Sequence, residues 1–366
     1  MLNARWPARV LALPWRLILC VVGIGGFGLV VLYSAAGGSI TPWALNQGVR
    51  FAGLLAVMVG LAFVNLRFWF RHAYTAYAMV LAGLIGVEAL GAISGGSQRW
   101  LDLGVIRLQP SEFMKLVIIV ALARFYHGLP RGMEARLPGI WPPLALTAVP
   151  AALVMLQPDL GTALMITAGG ITIIFLAGIP WRYVLAPAGA LALALPVVFN
   201  LLHDYQKRRV LIFLDPEADP LGAGYHITQS KIAIGSGGLF GKGFLNGSQS
   251  HLEYLPEQHT DFVFATMAEE WGLLGGVVLL AAFGFVLRWG MNVAMAAETR
   301  FARLAAGGLT MTIFFYVLIN LMMVMGLAPV VGIPLPLVSW GGSAMMTVLL
   351  ALGILLGLDR TKGRFD

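Results

Sequence analysis

A histidine and a carboxylate stand at the end of a long polar segment, directly before an apolar one. His259 and Asp261 are followed by Phe262-Val263-Phe264-Ala265, which has the composition of a membrane span. Removing a carboxylate from water costs several kcal/mol unless it is paired or protonated, and acids at such boundaries often have a function. A helix-start acid is also stabilised by the helix dipole. From its position alone, Asp261 is either a structural helix-start acid or a proton acceptor.

A second group of charged residues lies between Arg107 and Lys115, in the segment Arg-Leu-Gln-Pro-Ser-Glu-Phe-Met-Lys. Pro110 suits the first position of a helix, and Glu112 falls in the first turn, where the dipole favours an acid. Glu112 and Lys115 are three residues apart and share one helix face. Two interpretations stay open. Either Arg107 and Lys115 bind the phosphate of an anionic lipid carrier, or Lys115 belongs to an internal ion pair.

Two further acids, Glu269 and Glu270, follow Asp261 within the apolar segment. On a continuous helix Glu269 would lie about 12 Å deeper than Asp261. That depth is too great for surface chemistry, so we predict that both glutamates are ion-pair partners of a cation such as Lys115.

The composition excludes a soluble protein. The chain has 366 residues, of which 59% are hydrophobic and 11% charged, with a mean hydropathy of +0.83, as in polytopic membrane proteins. Cys20 is the only cysteine, which excludes a disulfide framework and a thiolate metal site. Gly241-Lys242 lacks the other residues of a phosphate-binding loop. The sequence therefore requires no cofactor, and neither a divalent cation nor nucleic acid is predicted.

Apolar windows of about twenty residues predict ten transmembrane helices. They cover residues 17–36, 44–65, 73–93, 111–128, 141–157, 160–179, 183–203, 262–287, 304–327 and 342–358. The expected fold is all-α, with one polytopic membrane domain over residues 1–366. The first window is interpreted as a retained helix and not as a signal peptide.

The basic residues define the orientation of these helices. Most of the 24 lysines and arginines fall in the segments on the side of the termini, so the positive-inside rule places both termini in the cytoplasm. Four polar segments are then outside: 94–110, the turn around Asp159, the large loop 204–261 between helices seven and eight, and 328–341. Within the large loop, residues 225–234 can form a short amphipathic helix at the membrane surface.

Five motifs in fixed order carry a family resemblance. They are Gly96–Trp100, Arg107–Lys115, Gln157–Gly161, Pro256–Phe262 and Pro334–Ser343. With them, essentially the whole chain resembles the SEDS family of bacterial cell-wall synthesis, of the RodA, FtsW and SpoVE type, and most resembles its RodA group. The resemblance implies a peptidoglycan glycosyltransferase that polymerises lipid II at the outer face of the bacterial cytoplasmic (inner) membrane, for cell-wall elongation and cell shape. It also implies a class B penicillin-binding protein as partner.

The resemblance assigns roles to particular residues. Asp261 matches the catalytic aspartate of the family, and Arg107 and Lys115 match its functionally required cations. Trp100, which can hold a sugar face or anchor the chain at the interface, joins the substrate-binding set. That set consists of Arg107, Lys115, Glu112, Trp100, Arg99, Asp159 and His259, while Glu269 and Glu270 remain structural ion-pair candidates.

The expected reaction uses Asp261 as the general base that activates an acceptor hydroxyl, with inversion at the anomeric carbon. Two other classes of protein suit the same composition, namely a lipid II flippase or transporter and a non-catalytic scaffold of the wall-synthesis complex. Small residues let helices approach closely in lipid. We therefore predict that the single span of the partner packs on an apolar face of span 304–327 or 342–358 and contacts an outer loop, and the small-residue run Ala305-Ala306-Gly307-Gly308 lies in the first of these two spans.

Overall fold

Helices dominate the described part of the chain. The computed structural model describes residues 11, 13–90, 92–94, 97–102, 107–180, 182–183, 189, 207, 211–215, 222–251 and 258–365. Within them the helices are α1 (Trp15–Ala35), α2 (Trp43–Leu61), α3 (Leu66–Leu90), α4 (Pro110–Gly128), α5 (Leu137–Leu156), α6 (Leu160–Leu176), α7 (Ala223–Gly237), α8 (Ser248–His251), α9 (Val263–Ala296), α10 (Arg300–Val324) and α11 (Gly342–Thr361).

Nine of these helices, all except α7 and α8, coincide with windows predicted from the sequence, within the described residues. The remaining window, 183–203, lies outside the described residues apart from positions 183 and 189. Six helices are long and apolar enough to cross a membrane, namely α1, α2, α5, α9, α10 and α11, while α6 is apolar but shorter. A helix satisfies its backbone polar groups internally, as lipid requires. The chain is a multi-pass membrane protein, and the count of ten and the orientation stay predictions.

A small antiparallel sheet is added to the predicted helical fold. Strands β1 (Ala92–Ser94), β2 (Ser97–Asp102) and β3 (Arg107–Leu108) pair in the order β1-β2-β3, where the sequence predicted an outer loop. The strands are too short to give a recognisable alternation of polar and apolar residues, and glycines interrupt them. The sheet connects the end of α3 to the start of α4 and carries three of the predicted site residues.

Helix α4 lies at the centre of the bundle, in contact with α3, α5, α6, α10 and α11. Most of its apolar side chains are buried, and Ile118 and Ile119 are fully so. A Cβ atom on Gly308 would lie 2.5 Å from Ile173 Cδ1 and 2.6 Å from Ile119 Cγ2. The run 305–308 therefore packs inside the bundle against α4 and α6. Because its small residues serve internal helix contacts, this run is not available to the span of a partner, and the placement of the partner on the late spans stays a prediction.

The last four described residues close the end of the bundle opposite Asp261. We call residues 362–365 the C-terminal clasp. Arg364 forms two hydrogen bonds with Glu298, of 2.7 and 2.6 Å, and the backbone oxygen of Phe365 accepts a 2.8 Å hydrogen bond from Arg67. The hydrogen bond from Arg364 lowers the pKa of Glu298. The clasp thus connects α11 to the α9–α10 turn and to the start of α3.

Candidate active site

Asp261 lies one residue before the N-cap of α9 and is half-buried. Its backbone oxygen accepts a 2.9 Å hydrogen bond from Asn320 Nδ2, which also donates to the backbone oxygen of Ile333 at 2.8 Å. Asn320 is fully buried on α10. One amide therefore fixes the backbone of Asp261 to the segment 328–341, which joins α10 to α11.

The side chain of Asp261 faces the same segment. A Cβ atom placed on Gly332 would lie 3.5 Å from Asp261 Oδ2, and Gly332 has a left-handed φ of 72°. A glycine is suited to this position because of its left-handed φ, and the backbone there lies in van der Waals contact with the carboxylate. A half-exposed carboxylate with a fixed backbone can accept a proton from a hydroxyl placed within hydrogen-bond reach.

His259 packs on an aromatic cluster next to Asp261. Its ring stacks on Trp43 of α2, with centroids 4.1 Å apart and planes at 6°. Its backbone oxygen accepts a 2.7 Å hydrogen bond from the backbone N–H of Trp340. Arg50 lies over the Trp340 ring, 4.7 Å from its centroid. These half-buried aromatic side chains hold the 258–261 turn against α2 and the 328–341 segment.

Glu112 and Lys115 form a buried ion pair, as their spacing allows. Lys115 Nζ donates to Glu112 Oε1 at 2.7 Å and to the Tyr316 hydroxyl at 2.7 Å. Glu112 Oε2 accepts from Tyr316 Oη at 2.6 Å and from Thr347 Oγ1 at 2.7 Å. The side chains of Lys115 and Glu112 are 2% and 7% exposed. This network joins α4, α10 and α11, so the geometry favours the internal ion pair over a lysine open to a phosphate.

The remaining predicted substrate-binding residues lie on or next to the small sheet. Arg99 on β2 donates from Nε to the Gln157 oxygen at 3.2 Å and also to the Pro158 oxygen. Trp100 follows it and is half-buried. The backbone of Arg107 lies on β3 opposite Asp102, and its side chain falls outside the described part of the structure.

Asp159 begins α6 as its N-cap. Its Oδ1 accepts a 3.1 Å hydrogen bond from the Thr162 N–H, and Oδ2 accepts from Gln109 Nε2 at 3.4 Å. Asp159 is buried. It has a clear structural role as a cap, which satisfies an unpaired N–H at the helix start, and its contact with substrate stays a prediction.

Glu269 and Glu270 bind residues other than Lys115. Glu269 Oε1 accepts a 2.6 Å bond from Lys242 Nζ, and Glu270 Oε1 accepts from the hydroxyl of Ser34, at the end of α1. The cation that Glu269 contacts is therefore Lys242, where the sequence suggested Lys115. Glu269 is fully buried, and it contacts Lys242 of the loop before α8 and Ser248 of α8.

Sequence reasoning missed the polar partners that come from distant helices. Tyr316, Asn320 and Thr347 are buried on α10 and α11 and bind residues 204, 59 and 235 positions away. Their only sequence signal is a polar side chain within an otherwise apolar helix, which requires an internal partner in lipid.

A cavity of about 320 Å³ lies elsewhere, between α3, α4 and α11. Its lining is apolar apart from His72, and it includes Met79, Phe113 and Leu350 but none of the predicted site residues. Its polarity does not suit a charged disaccharide carrier, so Asp261 and not this cavity marks the candidate site. Among the described residues, no group of three or more histidine, cysteine, aspartate or glutamate side chains is placed to hold a metal ion.

Comparison with known proteins agrees with this architecture. The family model for FtsW, RodA and SpoVE, described as cell cycle protein, matches residues 14–363. The peptidoglycan glycosyltransferase MrdB of Escherichia coli strain K12 is 44% identical over 343 residues, which are 93% of this chain and 92% of that protein.

Two solved structures share the fold. One chain, from work on the structural coordination of polymerization and crosslinking by a peptidoglycan synthase complex, superimposes with a TM-score of 0.83 at 35% identity. The match covers 96% of this chain and 99% of that chain. The rod shape determining protein RodA of Thermus thermophilus gives a TM-score of 0.73 at 32% identity, over 97% and 99% of the two chains. The chain belongs to the FtsW/RodA/SpoVE family of membrane proteins, and its resemblance is to the RodA group.

Proposed function

We propose that the chain is a peptidoglycan glycosyltransferase that polymerises lipid II, the undecaprenyl-diphosphate disaccharide peptide, at the outer face of the bacterial inner membrane. The observation that carries the proposal is the setting of Asp261, a half-exposed carboxylate whose backbone is fixed by the buried Asn320 amide. A relative with 44% identity is named a peptidoglycan glycosyltransferase, which supports the same activity here.

The proposed reaction is a single displacement. Asp261 takes the proton of the acceptor hydroxyl as that oxygen bonds to the anomeric carbon of the donor, and the bond from that carbon to the diphosphate breaks. The configuration inverts, and the lipid diphosphate leaves with the electron pair. General-base assistance is worth about 10² to 10⁴ in rate. The leaving diphosphate needs charge stabilisation rather than a proton. Arg107, on β3 just before α4, is the cation proposed for that role.

Lys115, the second cation of the motif 107–115, is proposed to act on the reaction indirectly. Its ammonium is almost fully buried and donates to Glu112 and Tyr316. We propose that this network keeps the start of α4 in place next to β3, which carries Arg107. We propose that Trp100, Arg99, Asp159 and His259 contribute to binding the acceptor and the donor.

The partner proposed for this enzyme is a class B penicillin-binding protein. One structural neighbour comes from a complex that coordinates polymerization and crosslinking, which supports such a pairing. The small residues at 305–308 are excluded as its docking face because they are buried. The described helices present exposed apolar side chains elsewhere, among them Leu273, Val277 and Val278 on α9.

The test is polymerisation of labelled lipid II by the purified full chain, alone and with the partner. Asp261→Asn removes a proton acceptor with almost no change in shape, so we expect the rate to fall by about 10² or more while substrate binding persists. Asp215→Asn, an exposed aspartate outside the site, is the matched control. Retention of more than a tenth of wild-type polymerisation by Asp261→Asn would refute the general base. Lipid II movement across vesicles without polymerisation would instead identify a transporter.

A further inference from the structure

Helix α9 consists of two segments. It has 34 residues from Val263 to Ala296, and the backbone leaves the helical region at Gly272, where φ is 63° and ψ is −163°. A helix of that length would measure about 51 Å, whereas the hydrocarbon core of a bilayer is about 30 Å thick. The part after Gly272 is long enough to cross alone. Residues 263–271, which we call the Asp261 segment, begin two positions after Asp261 and are not needed for the crossing.

The loop that precedes α8 fills the break. The N–H groups of Lys242 and Gly243 donate to the backbone oxygens of Glu269 and Glu270, at 2.9 and 3.1 Å. In return, the N–H of Leu273 donates to the oxygen of Gly238 at 2.9 Å. Interrupting a helix leaves N–H and C=O groups without partners, and here the loop supplies these partners from outside the helix.

Two glycines allow this close approach. Gly241 has a φ of 80°, and a Cβ atom on it would overlap the backbone oxygen of Glu270. A Cβ atom on Gly272 would overlap the backbone N of Gly241. Only a residue without a side chain fits at either position, so the glycines of this loop have a packing role at the break.

A side-chain ion pair joins the same two elements. Glu269, whose side chain is 0% exposed, accepts from Lys242 Nζ at 2.6 Å, from Ser248 Oγ at 3.1 Å and from the Gln249 N–H at 3.0 Å. Lys242 also donates to Ser248 Oγ at 2.7 Å. A carboxylate in such a position requires this complete set of donors, because an unpaired buried charge is strongly unfavourable. Lys242 of the loop therefore neutralises the buried charge of Glu269.

We propose that Lys242 and Glu269 are positioning residues, which hold the Asp261 segment at the orientation that catalysis requires and do not touch substrate. This inference rests on the proposed function. Nearly all side chains of the segment, from Val263 to Glu270, are buried, and Asn320 fixes the residue at its start. The segment is thus held at one end by Asn320 and at the other by the Lys242–Glu269 pair. Releasing the second end lets Asp261 tilt away from the acceptor hydroxyl while leaving the binding surfaces in place.

The test compares Lys242→Met, Lys242→Arg, Glu269→Gln and the double variant Lys242→Met/Glu269→Gln in the full-length protein. Lys231→Met, an exposed lysine on α7, is the matched control. We expect Lys242→Met to lower kcat for lipid II polymerisation at least tenfold with KM changed less than twofold. Lys242→Arg should retain at least half of the wild-type kcat. The kcat of the double variant should exceed the kcat of Lys242→Met, because no unpaired charge remains in the double variant.

Amide hydrogen exchange, read by mass spectrometry, gives a measurement that does not depend on activity. Peptides from 263–271 should exchange at least tenfold faster in Lys242→Met than in the wild type, while peptides from the part of α9 after Gly272 serve as the internal reference. Unchanged exchange in 263–271 overturns the proposal, as does faster exchange with undiminished kcat. If exchange in Lys242→Met also rises after Gly272, the double variant decides between the outcomes. Recovery of kcat in the double variant supports the positioning role of the pair, and no recovery overturns the proposal. A wild type that does not polymerise at all overturns the proposed function, and exchange then reports only on the holding role.

Discussion

Replacing Lys115 with methionine separates the two interpretations of the Glu112–Lys115 network. Methionine keeps much of the length of the side chain and removes its charge. Glu112 would remain buried with only the hydroxyl donors of Tyr316 and Thr347 on Oε2. Breaking a buried ion pair by removing one partner costs about 3–5 kcal/mol. Because two charge-assisted hydrogen bonds remain, we expect the lower end, about 3 kcal/mol of unfolding free energy.

The double variant Glu112→Gln/Lys115→Met provides the sharper result. It removes both charges, so no ion is left buried without a partner, and contacting residues are expected to show coupled effects. We expect it to be more stable than Lys115→Met and to regain part of the polymerisation rate. The measurements are denaturant or thermal unfolding of the purified protein and the lipid II polymerisation rate, with the exposed Lys231→Met as control.

The opposite pattern would refute this reasoning. If Lys115→Met unfolds like the wild type but polymerises no lipid II, and Glu112→Gln brings no recovery, then Lys115 contacts the diphosphate directly. The ion pair seen here would then be a resting arrangement that substrate opens.

Three further expectations concern other parts of the molecule. Asn320→Leu should lower kcat more than it raises KM in steady-state polymerisation, because it removes the 2.9 and 2.8 Å bonds from Nδ2 to the Asp261 and Ile333 oxygens; an equal loss in binding would contradict this. Gly308→Leu should reduce folded yield in size-exclusion chromatography even without the partner, since Ile119 and Ile173 occupy the space; a well-folded variant defective only in partner binding would contradict the internal packing. Glu134 has a pKa lowered by hydrogen bonds from its own backbone N–H and from Arg300, so it stabilises the fold above the ordinary glutamate pKa, and this contribution is lost as the pH falls through the lowered value. Glu134→Gln should therefore make the melting temperature fall less steeply at acidic pH, and an unchanged fall would contradict this role of Glu134.

Much of the helical frame can be predicted from the sequence because the signal is strong. Windows of about twenty apolar residues correspond to helices, and Pro110 marks the first residue of α4 as predicted. The sheet at 92–108 could not be predicted in the same way. Its strands are as short as two residues, which is too short for a periodic pattern to be recognised.

The site shows the same division between local and long-range information. The Glu112–Lys115 pair follows from a spacing of three residues on one helix. Its other members, Tyr316 and Thr347, come from helices more than two hundred positions away, so only the folded chain brings them together. The cation that binds Glu269 could not be foreseen either, because Lys242 lies in a loop 27 positions before it.

The C-terminal clasp has a consequence for the order of biogenesis. Residues 362–365 follow every described helix in the chain, yet Arg67 at the start of α3 and the ring of Phe70, 5.1 Å from that of Phe365, depend on them for contacts. A ribosome therefore delivers α3 to the membrane long before the residues that complete its end. Until the C-terminal clasp has been synthesised, Phe70 can pack on His127 and Phe301, but the hydrogen bond from Arg67 cannot form.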